Sequence, residues 1–245
     1  MRRLVGRQGL TELAIVGGCA LLYFLIRGNV ADRADQANAA AMDIVAIERR
    51  LRIYWEPAWQ QAFLASREWT QFWNQFYFWL HGPLIVVVGL IRYFGHRGKY
   101  LVIRTAFLIS CVVGLLVYNF YPLTPPRLLP ELGYVDTMRL YSPVAYQAES
   151  TKAFTNPYAA MPSLHYGWSF LIAVGIAWTW PRWWAHAFAA VETFGMVGAV
   201  VITANHWLLD VAAGGALCLL ALALAWWLHQ GRAPRRVAAR PRARG

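Results

Sequence analysis

Charge is what this sequence has least of. Only 14% of its 245 residues are Asp, Glu, Lys or Arg, against 58% hydrophobic. A soluble domain carries about 25% charged residues, so an ordinary soluble domain is excluded: its apolar bulk would outrun its polar surface. Acidic side chains are scarcer still, 12 against 23 Lys and Arg, for a net charge of +11. That excess does not read as a nucleic-acid surface. The basic residues fall in short segments between apolar runs and in an Arg-rich tail, Arg232 to Arg244, which is the pattern of positive-inside topology. The tail also suits anionic lipid headgroups. Cysteine is nearly absent. Cys19, Cys111 and Cys218 each lie inside an apolar run, and an odd count with no Cys-x-x-Cys spacing leaves no disulfide framework and no thiolate metal site. They read as small buried residues. No internal repeat is evident, which leaves one domain.

What the chain has in quantity is long apolar runs. They lie at about 10–26, 69–91, 101–121, 160–180, 184–203 and 206–228, each near the roughly 20 residues needed to cross the hydrocarbon. The first follows Met1-Arg2-Arg3 and Arg7. Its length exceeds that of a secretory signal, and Gly28-Asn29-Val30 is a poor cleavage site, so it reads as a retained span. In residues 30–68, Ile44, Ile47, Leu51 and Tyr54, with Val45, recur at helical spacing against Asp43, Glu48, Arg49 and Arg52. That spacing predicts a helix lying in the interface plane, and Trp55, Trp59, Trp69 and Trp73 suit an aromatic belt.

The expected fold is an all-α integral membrane protein, with six transmembrane helices and an interfacial amphipathic helix after the first span. Its parts are an N-terminal tail and first helix (1–29), the interfacial segment (30–68), a five-helix core (69–229) and a basic tail (230–245). With the N-terminus inside, the inner segments hold 14 Lys and Arg and the outer segments 9. This predicts a multi-pass cell-membrane protein with both termini cytoplasmic.

Under that topology three motifs fall on one face. Tyr121-Pro-Leu-Thr-Pro-Pro-Arg127 closes the third span, Asn156 to Ser169 (with Pro162-Ser163-Leu164-His165) opens the fourth, and Asn205-His206-Trp-Leu-Leu-Asp210 opens the sixth. A helix start leaves backbone N–H groups unpaired at the positive end of the dipole, a natural phosphate seat, and proline suits a first turn. His206 and Asp210 are four apart, one above the other if helical. Asp210 then fixes one imidazole nitrogen and leaves the other basic, the arrangement of a nucleophilic or general-base histidine. A carboxylate just inside a membrane helix is costly and marks function. Arg127 offers a fork for phosphate. His81, mid-span before Pro83, reads as a buried hydrogen-bonded residue at a kink, with substrate contact left open.

With these residues in view, the chain resembles the type-2 phosphatidic-acid phosphatase superfamily, and more closely its inositol phosphorylceramide synthase-like branch. The resemblance rests on Pro125-Pro126-Arg127, Asn156 to His165 and His206-x-x-x-Asp210, and covers about 40–228, including His81-Gly-Pro83. It implies His206 as a nucleophile forming a phosphohistidine, Asp210 as its orienting group and His165 as the general acid. Arg127, Ser163 and the backbone at Leu164 would bind phosphate, with no metal and no cofactor. The implied substrate is a lipid phosphate or phospholipid at the outer face, with a polyol or water as acceptor. Hydrolytic members carry a Ser-Arg pair whose arginine lies six residues before the nucleophile; here those positions are Ala199 and Val200. The lysine expected before Arg127 is replaced by the run Tyr118-Asn-Phe-Tyr121. Both departures favour the synthase-like branch. Arg139, Lys152 and Tyr158, in a loop from about 128 to 158 long enough to cover the site, are expected headgroup contacts; a lid that excludes water favours transfer over hydrolysis. Two other readings are a transporter or non-catalytic lipid-binding protein, and a metal site at His165, His206 and Asp210.

Overall fold

A computed structural model describes residues 7–27, 33–141 and 156–230. Along them run α1 (Arg7–Arg27), α2 (Ala34–Leu51) and α3 (Glu56–Leu64), then the long α4 (Arg67–Gly95) and α5 (Arg97–Phe120). Two 3-10 turns, Pro126–Leu128 and Pro130–Leu132, lead to the short α6 (Thr137–Tyr141), then α7 (Leu164–Thr179), α8 (Trp183–Ile202) and α9 (Leu208–Gln230). Among the described residues the one extended pairing is an isolated parallel bridge between Leu123 and Ala159. The all-α expectation holds for these residues.

Four helices, α4, α5, α8 and α9, are long and apolar enough to cross a membrane, and the described apolar part of α1, Gly9–Cys19, is shorter. With 16 residues, α7 is about 24 Å long at 1.5 Å per residue, less than the roughly 30 Å of hydrocarbon. Four of the six expected spans are thus full-length apolar helices among the described residues; α7 is shorter, and α1 is a helix of 21 residues. Side chains such as Val191, Phe194, Leu220 and Trp227 are exposed, as a lipid-facing surface requires.

The core is organised around α7, which packs on α4, α5, α8 and α9. Its cap is Ser163, whose hydroxyl accepts from the Tyr166 N–H at 3.3 Å. Pro162 therefore stands one residue before the cap rather than in the first turn. In α4 the chain makes a π-turn over Phe76–Leu80, a device that redirects side chains within a helix. Close approach of α7 to α9 depends on glycine. A methyl at Gly214 would lie 2.1 Å from the Ser163 carbonyl oxygen, and one at Gly167 would lie 2.7 Å from the Gly214 oxygen.

The segment after α1 is amphipathic, and only part of its expected apolar face is buried against protein. Ala37, Ala40, Ala41, Ile44, Val45 and Glu48 are buried, whereas Ile47 and Leu51 are exposed. The reason is the partner. α2 lies on protein, packing with Leu123, Leu129, Ala160 and Trp207, and its alanines allow a closer approach than a lipid-facing stripe needs. Trp59 and Trp73 likewise pack into the core, while Trp55 and Trp69 stay exposed.

Because no rotamer change relieves a backbone clash, Gly214→Ala forces α7 and α9 apart. A loss on the order of 1–3 kcal/mol is expected, read as a lower thermal midpoint in detergent. Gly89→Ala, where an added methyl meets nothing within 4 Å, does not lower the midpoint, because alanine is the better helix former.

Candidate active site

The turn before α9 begins as the end of α8. The Asn205 N–H reaches back to the Val200 carbonyl at 2.9 Å and the Ala204 N–H to Val201 at 2.9 Å, the paired bonds of a Schellman motif. Ala204 takes the left-handed conformation this needs (φ 54°), a position glycine usually fills. The strain is held by the surroundings: Ala204 is fully buried. The motif turns the chain sharply, and His206 is the next residue but one.

His206 and Asp210 do not share a helix face. His206 and Trp207 precede α9, and Asp210 lies in its first turn. The carboxylate folds back to accept from the Trp207 N–H at 2.9 Å, one half of a capping box. His206 Nδ1 donates to the Ala160 carbonyl at 2.8 Å, with Asp210 Oδ2 further away at 3.4 Å. The tautomer is thus set chiefly by a backbone oxygen of the second motif, and Asp210 supports it. Nε2 is left as the basic nitrogen.

Backbone hydrogen bonds sew the three motifs together. Leu123 N–H donates to Tyr158 O at 2.8 Å, Arg127 N–H to Ala204 O at 2.8 Å, and Ser163 N–H to Asp210 O at 2.9 Å. The buried Trp207 indole donates to Thr124 O at 2.9 Å and sits between Tyr54 and Tyr134. Tyr118, where the resemblance expects a lysine nearby, donates its hydroxyl to Pro162 O at 2.7 Å. These bonds bring the Arg127, Ser163–His165 and His206–Asp210 segments to one place.

His165 lies in the first turn of α7, its ring centre 6.1 Å from that of His206. The π-turn of α4 supplies its other neighbours. Tyr77 stacks on it with ring centres 4.3 Å apart, and its hydroxyl bonds Nδ1 at 3.4 Å. His81, one turn on, lies 4.8 Å away and bonds the Ser169 hydroxyl at 3.2 Å through Nδ1. His81 is thus a neighbour of His165 as well as the buried, hydrogen-bonded residue expected. Tyr77 was missed: a tyrosine in an aromatic run carries no signal until the π-turn aims it.

Arg127 is mostly covered, with its Nε 4.0 Å from Asp136. Ser163 is buried and its hydroxyl serves as a helix cap. Leu164 opens α7, where first-turn N–H groups lack intrahelical acceptors. Arg139 is exposed on α6, with its N–H on Asp136 Oδ1 at 3.0 Å. Tyr158 enters through its backbone, and Lys152 lies outside the described residues, as do 142–155 of the expected lid. Val200 is buried in an apolar cluster with Tyr77, Met196 and Val211, so no cation reaches the site from there. Among the described residues no group of three or more His, Cys, Asp or Glu is arranged to hold a metal ion.

Sequence reasoning also missed Glu48, Glu56 and Gln60. All three are buried. Gln60 donates to Val135 O at 2.9 Å, and its Oε1 accepts from the Val135 N–H at 3.0 Å, which holds the chain leading to α6.

Trp207→Phe deletes the indole donor and leaves the Thr124 carbonyl bare in an apolar cluster. A loss of about 1–3 kcal/mol is expected, measured by thermal unfolding in detergent. Trp55→Phe, at a half-exposed position, is the neutral control.

Comparison with known proteins follows the same residues. The family model of the PAP2 superfamily matches residues 42–224, a stretch that includes all three motifs. A relative named phosphoinositol dihydroceramide synthase, from Bacteroides thetaiotaomicron, is 26% identical over 151 residues, covering 56% of this chain and 50% of the relative. The chain thus spans about half the length of that curated relative. No solved structure matches.

Proposed function

Since the chain belongs to the PAP2 superfamily, we propose that it is a membrane phosphotransferase or phosphatase acting on a lipid-linked phosphate through His206. The observation that carries this reading is the pairing of two histidines in unlike settings. His206 is fixed by Ala160 with Nε2 basic, while His165 stands 6.1 Å away at the start of α7. In the first step His206 Nε2 attacks phosphorus, and the bond from phosphorus to the lipid alcohol breaks. His165 gives its proton to the leaving oxygen. In the second step an acceptor hydroxyl attacks the phosphohistidine, its proton passes to His165, and the phosphorus–nitrogen bond breaks. Both histidines end as they began.

Asp210 supports the imidazolium character that develops on His206. The first-turn N–H groups at Leu164 and the guanidinium of Arg127 are the phosphate partners in this reading, with Ser163 holding the turn in shape. Arg139, Tyr158 and Lys152 are the proposed headgroup contacts. The chemistry as proposed needs no metal and no cofactor. The group transferred is a phospho-headgroup such as phosphoinositol when the donor is a phospholipid, or phosphate itself when the donor is a lipid phosphate.

Transfer is the favoured branch. The position where hydrolytic members carry an arginine is Val200, buried in apolar packing, and the name of the relative is consistent with a synthase. In the membrane we place six spans, with α1 and the short α7 joining the four full-length helices. Both termini are then cytoplasmic and the three motifs lie at the outer face.

The purified protein, offered a panel of phospholipids and polyprenyl phosphates with and without a polyol, should give a phosphorylated alcohol in excess of free phosphate, read by mass spectrometry. His206→Ala should lose on the order of a thousandfold or more, as for a covalent nucleophile. Asp210→Asn should lose less. Full turnover by His206→Ala would end the mechanism, chelator-sensitive turnover would replace it with a metal reading, and no turnover on any donor would favour a lipid-binding or transport role.

A further inference from the structure

The start of α9 is closed by side chains from far upstream. The Leu208 N–H donates to Glu56 Oε1 at 2.8 Å, and the Leu209 N–H to Glu48 Oε1 at 2.8 Å. With Trp207 N–H on Asp210, three successive backbone donors each end on a carboxylate. Glu48, Glu56 and Asp210 are all fully buried. Donors here are matched one for one, so the outer oxygens Glu48 Oε2, Glu56 Oε2 and Asp210 Oδ1 find no N–H or hydroxyl donor. The two side chains lie against each other.

Two buried carboxylates in contact cannot both be ionised. A single proton resolves the conflict, because a protonated carboxyl is a donor and its ionised neighbour an acceptor. Both orphaned glutamate oxygens are then satisfied by one O–H···O bond. We propose that Glu48 and Glu56 form an acid–carboxylate pair holding one proton, and that this pair clamps the first turn of α9 and so positions His206 for reaction. Glu48 and Glu56 are positioning residues here, since neither touches the reacting atoms. The inference rests on the reading of His206 as nucleophile.

The clamp has an electrostatic consequence. The clamp sets three acidic side chains against the positive end of α9, where anions are stabilised. That helix start is filled by the protein's own acids. The start of α7 carries only the neutral Ser163 cap. A substrate phosphate is therefore turned away from α9 and toward α7, which brings it between His165 and His206.

The clamp also explains why α2 and α3 pack on the core. Glu48 closes the buried face of α2 and Glu56 opens α3. The groups facing the pair are Asp210, in the first turn of α9, and Tyr134 with Tyr54 beside it. Burial, reinforced by Glu56, pushes the Glu48 carboxyl up to about 9 from its usual 4.5. The folded protein therefore keeps a proton that the unfolded chain releases over that window. Its stability falls as pH rises through the window.

The test compares Glu48→Leu with Glu48→Gln in the full chain in detergent. Leucine removes the acceptor and the shared proton, while the glutamine amide keeps an acceptor for Leu209 and donates to Glu56. Glu48→Leu should lower kcat tenfold or more with KM within about twofold, and Glu48→Gln should recover most of that loss. Hydrogen exchange over 205–210 should rise in Glu48→Leu alone, and the decline of stability with pH should flatten in Glu48→Gln. Normal exchange and kcat in Glu48→Leu, equal damage from both variants, or a wild-type pH slope unchanged by Glu48→Gln would each overturn the clamp. The exchange and pH readings need no catalysis, so they stand if His206→Ala proves active.

Discussion

The constraint on which this structure turns is that helix-end N–H groups cannot be left bare in apolar surroundings. α9 enters the core immediately after its first residues, with Trp207 and Asp210 fully buried. Trp207 is buried, and Leu208 and Leu209 are half-buried. Their partners come from Asp210, Glu56 and Glu48, the last two from elements more than 150 residues earlier. Once those acids are seated, α2 and α3 must lie against the same end of the bundle, and with them Tyr54 and the alanine face of α2. The turn that carries His206 is then held from both sides.

Backbone satisfaction organises the rest of the site as well. The Ala160 carbonyl takes the His206 Nδ1 proton, the Thr124 carbonyl takes the Trp207 indole, and the Ala204 carbonyl takes the Arg127 N–H. Each bond closes one loop onto another, so the loops share one geometry. Glycines at 167 and 214 let α7 and α9 approach closely enough for Ser163 N–H to reach the Asp210 carbonyl. The π-turn in α4 completes the surround of His165 with Tyr77 and His81.

Much of this was legible in the chain. Apolar runs of about twenty residues marked α4, α5, α8 and α9, because membrane hydrocarbon demands that length of any spanning helix. Pro162-Ser163-Leu164-His165 before an apolar run marked the start of α7, although Pro162, expected in its first turn, stands one residue before the Ser163 cap. Other features were misread for physical reasons. The four-residue spacing of His206 and Asp210 suggested one helical face, but spacing alone cannot show where a helix begins. Ile44, Val45, Ile47 and Leu51 suggested one apolar stripe on α2, but periodicity does not say which of them meet lipid and which meet protein. Glu48 was read as part of the polar face, and nothing local announces that a glutamate will cap a helix 161 residues later.

By itself, then, the sequence determined an all-α membrane protein and the three motifs, because hydrophobic length and capping chemistry are local properties of the chain. Only the tertiary structure decided which group orients His206, which aromatic ring faces His165 and why α2 and α3 lie on the core. Those outcomes depend on hydrogen-bond partners and close approaches between segments distant in sequence. The physical reason is that a buried donor takes whichever acceptor the packing brings near, and packing is a property of the whole bundle.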